Sequence, residues 1–449
     1  MNQFDAYINT HQDRFLAELD TLLRLPSVAA QGLAIDETAA SVAARLERLG
    51  ATVQTWRLPG AAPVIYASLG HGPRRLLIYN HYDVQPAEPL DLWHSPAFEP
   101  TIRDGKLFAR GVADNKGNLM LRIQALEAWL ATEGQLPFQI NWLIEGEEEI
   151  GSINLDAYCK NYADYLRADG CLWETGGRNA LEQPTMMCGA KGICYVELIA
   201  KGAAYDLHSQ YGGVVPNPAW RLLWALNTLK GPDERVLIPG FYDKVRPPSQ
   251  LDLAMLETLP NDDAALLANF QLPAFLGDVA GVERQRVQLF EPTCTICGLV
   301  SGYTGAGSKT VLPAEALAKV DFRMVPDQDP HEIVQLLRQH LDQHGFSDIA
   351  IREYGLEHPA RSPVDSPVSQ AMQRALQTTY SQAPVIYPTM AGTGPVYEVC
   401  SSVGTPMVSG CGAGYHGALV HAPNEHIRLD DYWMAMRCMA QFIREFAAP

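Results

Sequence analysis

Glu145-Gly-Glu-Glu-Glu-Ile-Gly-Ser152 sets four carboxylates in five positions, directly after Phe138-Gln-Ile-Asn-Trp-Leu-Ile144, a run that predicts a buried strand. Like charges this close repel, and each is costly to remove from water unless something pairs it. One reading is a solvated acidic turn. The other is a cation site, because metal ligands are deprotonated carboxylates, neutral imidazoles or thiolates. What the neighbouring segments bring to the same place decides between them.

Two more short apolar runs behave alike. Arg75-Leu-Leu-Ile-Tyr79 leads into Asn80-His81-Tyr82-Asp83, and Gly170-Cys-Leu-Trp173 leads into Glu174. Around them lie segments with helical spacing: Phe15 to Leu23, stopping before Pro26; Thr38 to Leu49, ending at Gly50; Leu119, Ile123, Leu126 and Leu130; and Leu155 to Tyr165. Pro63 to Leu69 reads as a further strand. Strands alternating with helices predict a largely parallel sheet, an α/β architecture. Three strands then deliver His81 and Asp83, the Glu145 to Glu149 cluster, and Glu174 to the edge where open α/β sheets bind ligands.

The pattern changes near Gly189. Ile193 to Ala200 and Lys319 to Val325 alternate as half-exposed strands do, with helical segments and a Pro/Gly-rich connection, Pro239 to Pro248, between them. His331 to His344 reads as a helix. The expected organisation is a first unit over 1–190, an inserted α+β unit over 191–360, and a return to the first unit over 361–449 through the helix Val368 to Thr379, the strand Thr405 to Ser409 and a last helix, Tyr432 to Phe446.

A chain of 449 residues is too long for one ordinary core. With 47% hydrophobic and 19% charged residues it has the composition of a globular protein, and a net charge of −17 argues against nucleic acid as a partner. No stretch has the apolar length to span a bilayer. The start, Met1-Asn-Gln-Phe-Asp-Ala-Tyr-Ile8, lacks the basic and apolar regions of a signal peptide, and nine cysteines without framework spacing suit a reducing compartment, so a cytoplasmic location is expected.

Each remaining motif has two readings. His81-x-Asp83 is a satisfied polar pair, or an imidazole ligand whose ring and tautomer the carboxylate fixes. Asp114, in Arg110-Gly-Val-Ala-Asp-Asn-Lys-Gly117, is a helix N-cap or a ligand. His421-Ala-Pro-Asn-Glu425, after Gly410-Cys-Gly-Ala-Gly414, is a surface loop or a ligand segment. Asp206-Leu-His-Ser209, Lys309-Thr-Val-Leu-Pro313 and Arg323-Met-Val-Pro326 complete an ordered set of seven.

With that order, the chain resembles the cocatalytic zinc peptidase family of carnosinase, cytosolic non-specific dipeptidase, glutamate carboxypeptidase, aminoacylase and succinyl-diaminopimelate desuccinylase, the dipeptidase branch above all. The resemblance implies a zinc-peptidase catalytic domain, with a mostly parallel central sheet and helices on both faces, and an inserted α+β dimerisation (lid) domain. It implies two zinc ions per subunit bridged by Asp114, one also held by His81 and Glu174, the other by Glu149 and His421, with manganese or cobalt as substitutes. Glu148 would be the general base acting on a water held between the metals, and Asp83 the partner orienting His81. His208 would reach into the partner subunit's site of a homodimer and stabilise the oxyanion. Arg323, assisted by Thr310, would grip the substrate carboxylate. A cis peptide between Asp114 and Asn115 is also implied.

The implied activity is hydrolysis of dipeptides or short peptides with a free C-terminal carboxylate. N-acyl amino acid deacylation and a glutamate-carboxypeptidase-like amidohydrolase are the alternatives within the family. One departure touches the substrate site: where the dipeptidases carry an Arg-Glu-Gly-Gly-Ser-like loop, this chain has Met390-Ala-Gly-Thr-Gly-Pro395.

Other classes fit less well. Gly302-Tyr-Thr-Gly-Ala-Gly-Ser-Lys-Thr310 looks like a phosphate-binding loop, but a serine separates glycine from lysine and Pro313 follows where a helix should open. Cys294-x-x-Cys297 has no second pair, and in an alternating strand its cysteines face opposite sides. A non-catalytic dimeric scaffold would require a lost ligand or base, and none is missing from the set.

Overall fold

The structure is a computed structural model and describes residues 3–448. Met1 and Asn2, the first residues of the segment read for a signal peptide, and Pro449 lie outside the described residues. The chain divides into two compact units: Met1–Gly189 with Arg361–Thr389 and Pro395–Pro449, and Ala190–Ala360 with Met390–Gly394. No helix among the described residues is long and apolar enough to cross a membrane.

In the first unit six strands form one sheet, in the order Thr52–Trp56, Val64–Leu69, Gln139–Glu145, Arg75–His81, Gly170–Leu172, Met407–Val408. The first two run antiparallel to their neighbours, and the last four are mutually parallel. Consecutive side chains of a strand point to opposite faces, and Leu76, Leu77, Ile78 and Tyr79 are all fully buried. Both faces of the sheet are therefore covered, which is why this strand reads as a continuous apolar run. Helices Gln3–Leu23, Lys116–Glu133, Pro367–Thr379 and Leu429–Ala447 pack on one another around the main core. Parallel register places His81 directly beside Glu145, so the acidic stretch starts level with the histidine.

The second unit is a four-stranded antiparallel sheet in the order Thr293–Ser301, Glu315–Met324, Gly192–Lys201, Ala350–Glu357. Its core face follows a period of two: Cys194, Val196, Leu198 and Ala200 lie opposite Phe322, Val320, Ala318 and Ala316, all buried. Helices Pro218–Leu229 and Pro330–Gln343 pack on this sheet. Both start the same way. Asn217 and Asp329 accept from backbone N–H groups of the first turn, and proline occupies the next position, where no N–H is needed.

The two decoy motifs resolve locally. After Thr310 the chain enters the short strand Val311–Leu312, not the helix a phosphate loop requires. Cys294 is buried and Cys297 exposed, at a register shift of their strand between Ile296 and Gly298. The segment Met390–Gly394 groups with the second unit, where Lys191 N–H donates to the carbonyls of Met390 (3.3 Å) and Gly392 (2.9 Å).

Candidate active site

His81 ends its strand fully buried, and its two nitrogens have separate duties. Nδ1 faces Asp83 Oδ1 at 3.2 Å and Asp83 O at 3.1 Å. Nε2 faces Asp114 Oδ1 at 3.0 Å and Glu174 Oε2 at 3.3 Å. A proton held on Nδ1 by Asp83 leaves the Nε2 lone pair free for a cation bound between it and the carboxylates. Asp83 does a second job: its oxygens accept the N–H of Glu148 (3.3 Å) and of Glu149 (3.0 Å), tying the acidic turn to the histidine strand.

Asp114 turns its other oxygen to a different imidazole. His421 Nε2 lies 3.3 Å from Asp114 Oδ2 and 3.0 Å from Glu149 Oε2. One carboxylate thus stands between two histidine Nε2 atoms, each of which also faces one further carboxylate, an arrangement able to bridge two cations. The Asp114-Asn115 peptide is cis. Gly117 is required by close packing, since a Cβ there would lie 1.9 Å from Val112 O. His421 itself sits at a left-handed φ of 63°.

Negative charge dominates. Burial pulls the His81 proton affinity down, but Glu174, Asp114 and Asp83 outweigh it and hold the imidazole well above its ordinary value. Hydrogen bonds to Asp114 and Glu149 push His421 up to about 10. Burial would raise Asp114, yet the two imidazoles keep it well below the usual carboxylate range. Burial is the main cause that lifts Glu148 to about 8 and Glu174 well above its ordinary value.

The cluster fits divalent cations. Among the described residues, Glu149 Oε1 and Glu174 Oε2 are buried without any hydrogen-bond partner, lone pairs that a cation would satisfy. Ligand atoms of His81, Asp114 and Glu149 fall within 4.8 Å of one another. Nitrogen and oxygen donors without thiolate suit zinc, manganese or cobalt.

The remaining candidates belong to the second unit. His208 lies opposite Val311 in a two-strand ladder, and Ser209 N–H donates to Thr310 O at 3.1 Å, so His208 and Thr310 are brought together. Nδ1 of His208 accepts from Gln210 N–H (3.1 Å), which assigns the neutral ring's proton to Nε2. Arg323 points its Nη1 at Thr393 Oγ1 (2.6 Å) and its Nε at Asp321 (3.1 Å). Thr393 comes from the departing loop and stands beside the guanidinium. A contact that sequence reasoning missed is Gln85, whose Nε2 donates to Glu149 O and Oε2, both at 3.0 Å. Gln85 lies in a loop without periodicity, so no local signal marks it.

The sequence profile of peptidase family M20/M25/M40 matches residues 77–445. The chain belongs to that family. It is 27% identical to rat Beta-Ala-His dipeptidase over 472 residues, covering 98% of this chain and 94% of the relative. It is 26% identical to the Cys-Gly metallodipeptidase dug1 of Schizosaccharomyces pombe, covering 98% and 97%. Among solved structures, the M20 family metallo-carboxypeptidase Sso-CP2 of Sulfolobus solfataricus superposes with a TM-score of 0.93 at 37% identity, over 96% of this chain and 99% of that one. This M20 chain is a metal-dependent peptidase.

Proposed function

We propose that this M20 peptidase hydrolyses the amide bond of dipeptides or short peptides with a free C-terminal carboxylate. The observation that carries the reading is the convergence of His81, Asp114, Glu149, Glu174 and His421 around one another, with Glu148 beside them. Two zinc ions per subunit in that cluster would supply Lewis acidity and lower the pKa of water. His81 and Glu174 would hold one, Glu149 and His421 the other, and Asp114 both.

The chain's own residues do the rest. Glu148 takes the proton of the attacking water and returns it to the leaving amine. Asp83 keeps the His81 ring in place and, through the backbone amides, fixes where Glu148 stands. Arg323 pairs with the substrate carboxylate. Thr393, within hydrogen-bond reach of the guanidinium, supplies a hydroxyl where the dipeptidases place serine. His208, with Nε2 carrying the proton, donates to the oxyanion of a partner subunit's substrate, and Thr310 lies alongside.

A homodimer is supported by exposed apolar side chains on the second unit. Trp220 and Trp224 stack at 6.1 Å on helix Pro218–Leu229, 58% and 57% exposed, and the edge strand Thr293–Ser301 exposes Ile296, Leu299 and Val300. Eight buried thiols support a reducing, cytoplasmic setting.

The test is chelator-stripped protein reloaded with zinc or manganese and offered dipeptides and N-acyl amino acids. Metal-dependent release from dipeptides is expected. Turnover confined to N-acyl amino acids would transfer the reading to a deacylase, and turnover of neither would remove it.

A further inference from the structure

Glu425 lies four residues beyond His421, is fully buried, and has no part in the scheme above. Its carboxylate makes four hydrogen bonds, all to the segment that carries Asp114. Oε2 accepts from Arg110 Nη1 (2.8 Å) and Gly111 N–H (2.9 Å). Oε1 accepts from Ala113 N–H (2.8 Å) and Asp114 N–H itself (3.1 Å). The Glu425 carbonyl accepts Ala109 N–H (3.2 Å), so main chain and side chain grip the same turn.

Strand pairing explains the meeting. Strand His426–Arg428 runs antiparallel to Lys106–Phe108, with His426 opposite Phe108. Glu425 and Ala109 are thus the next residues on either side of a closed ladder. The buried Arg110 is anchored at its far end, where Nη2 donates to Pro86 O (3.1 Å) and the guanidinium lies 5.4 Å from the Trp93 ring centre. The adjacent Asn424 accepts His94 N–H and donates to Leu92 O, both at 2.8 Å. The loop bearing His421 is thereby clamped to the loop bearing Asp114 and to residues 86–94.

We infer that Glu425 is a positioning residue for the metal centre: by collecting the amides of Gly111, Ala113 and Asp114 together with Arg110, it holds the bridging carboxylate and His421 in register before any ion binds. The inference rests on the two-metal reading. It is chemically specific, because an ionised carboxylate accepts four donors and an amide of the same size does not: the nitrogen of glutamine would face backbone N–H groups.

Zinc affinity of the full chain, measured by competition with a chromophoric chelator, tests it, beside the visible spectrum of cobalt-loaded protein and the melting temperature of the metal-free form. Glu425→Gln is expected to weaken zinc binding by ~10–100-fold and to shift the cobalt bands. Glu425→Asp, which keeps the charge but falls one methylene short, recovers part of the loss. The control is Tyr432→Phe, which removes a buried 2.8 Å hydrogen bond to Gln124 in the same unit. Wild-type affinity and spectrum in Glu425→Gln overturn the inference. So does a loss that Tyr432→Phe reproduces at an equal drop in melting temperature. If Glu425→Gln does not fold, the aspartate variant decides by the same criteria. A wild-type chain that binds neither metal overturns the metal reading and this inference together.

Discussion

Glu148 and Glu149 are consecutive yet have different environments. The Glu149 carboxylate is turned to His421 and held by Gln85, while Glu148 is fixed through its backbone, whose N–H Asp83 accepts and whose carbonyl accepts Gly151 N–H. A carboxylate without a hydrogen bond among the described residues suits a group that must pick up and release a proton. Glu148→Gln is therefore expected to cut kcat by ~10²–10⁴-fold, with zinc content per chain unchanged by elemental analysis. A near-wild-type kcat would remove the base assignment, and loss of zinc would turn Glu148 into a ligand.

Among the elements, helix Pro330–Gln343 of the second unit carries a buried histidine contact. His340 is buried, its Nε2 meets Thr228 Oγ1 of helix Pro218–Leu229 at 2.9 Å, and its Nδ1 has no partner among the described residues. Burial, followed by the neighbouring His344, lowers its proton affinity below the ordinary histidine value. The unfolded chain therefore binds this proton at a higher pH than the folded one. Stability from this site is complete above about pH 6.5 and is lost as pH falls toward the folded value. The drop in denaturant midpoint from about pH 7.5 to about pH 5.5 should be larger in the wild type than in His340→Gln. Equal drops in both would show that His340 does not contribute.

For the whole molecule, the trans role proposed for His208 makes a quantitative demand. His208→Ala and Glu148→Ala chains should each be inactive, whereas a refolded equimolar mixture should regain about a quarter of wild-type activity, since half its dimers are mixed and each of those has one intact site. Cross-linking or native mass spectrometry verifies the exchange. No recovery in verified mixed dimers would place His208 in its own subunit's chemistry or outside catalysis.

Much of the candidate site was legible because polar residues at strand ends leave local marks: an apolar run, then His81 and Asp83, or Glu145 to Glu149, or Glu174. Strand and helix periodicities are short-range properties, so the strands that end at His81, Glu145 and Leu172 could be read from them, whereas the short strands Lys106–Phe108 and His426–Arg428 beside Asp114 and His421 could not, and the first helix starts at Gln3, well before Phe15. The sequence by itself determined those strand ends, the nitrogen and oxygen donor types gathered there and the class of reaction. The tertiary structure alone decided which atoms meet. Arg110 and Glu425 are 315 positions apart, Arg323 and Thr393 70, and Gln85 and Glu149 64. Such contacts carry no spacing signal, because sheet order and packing create them only once the chain has closed.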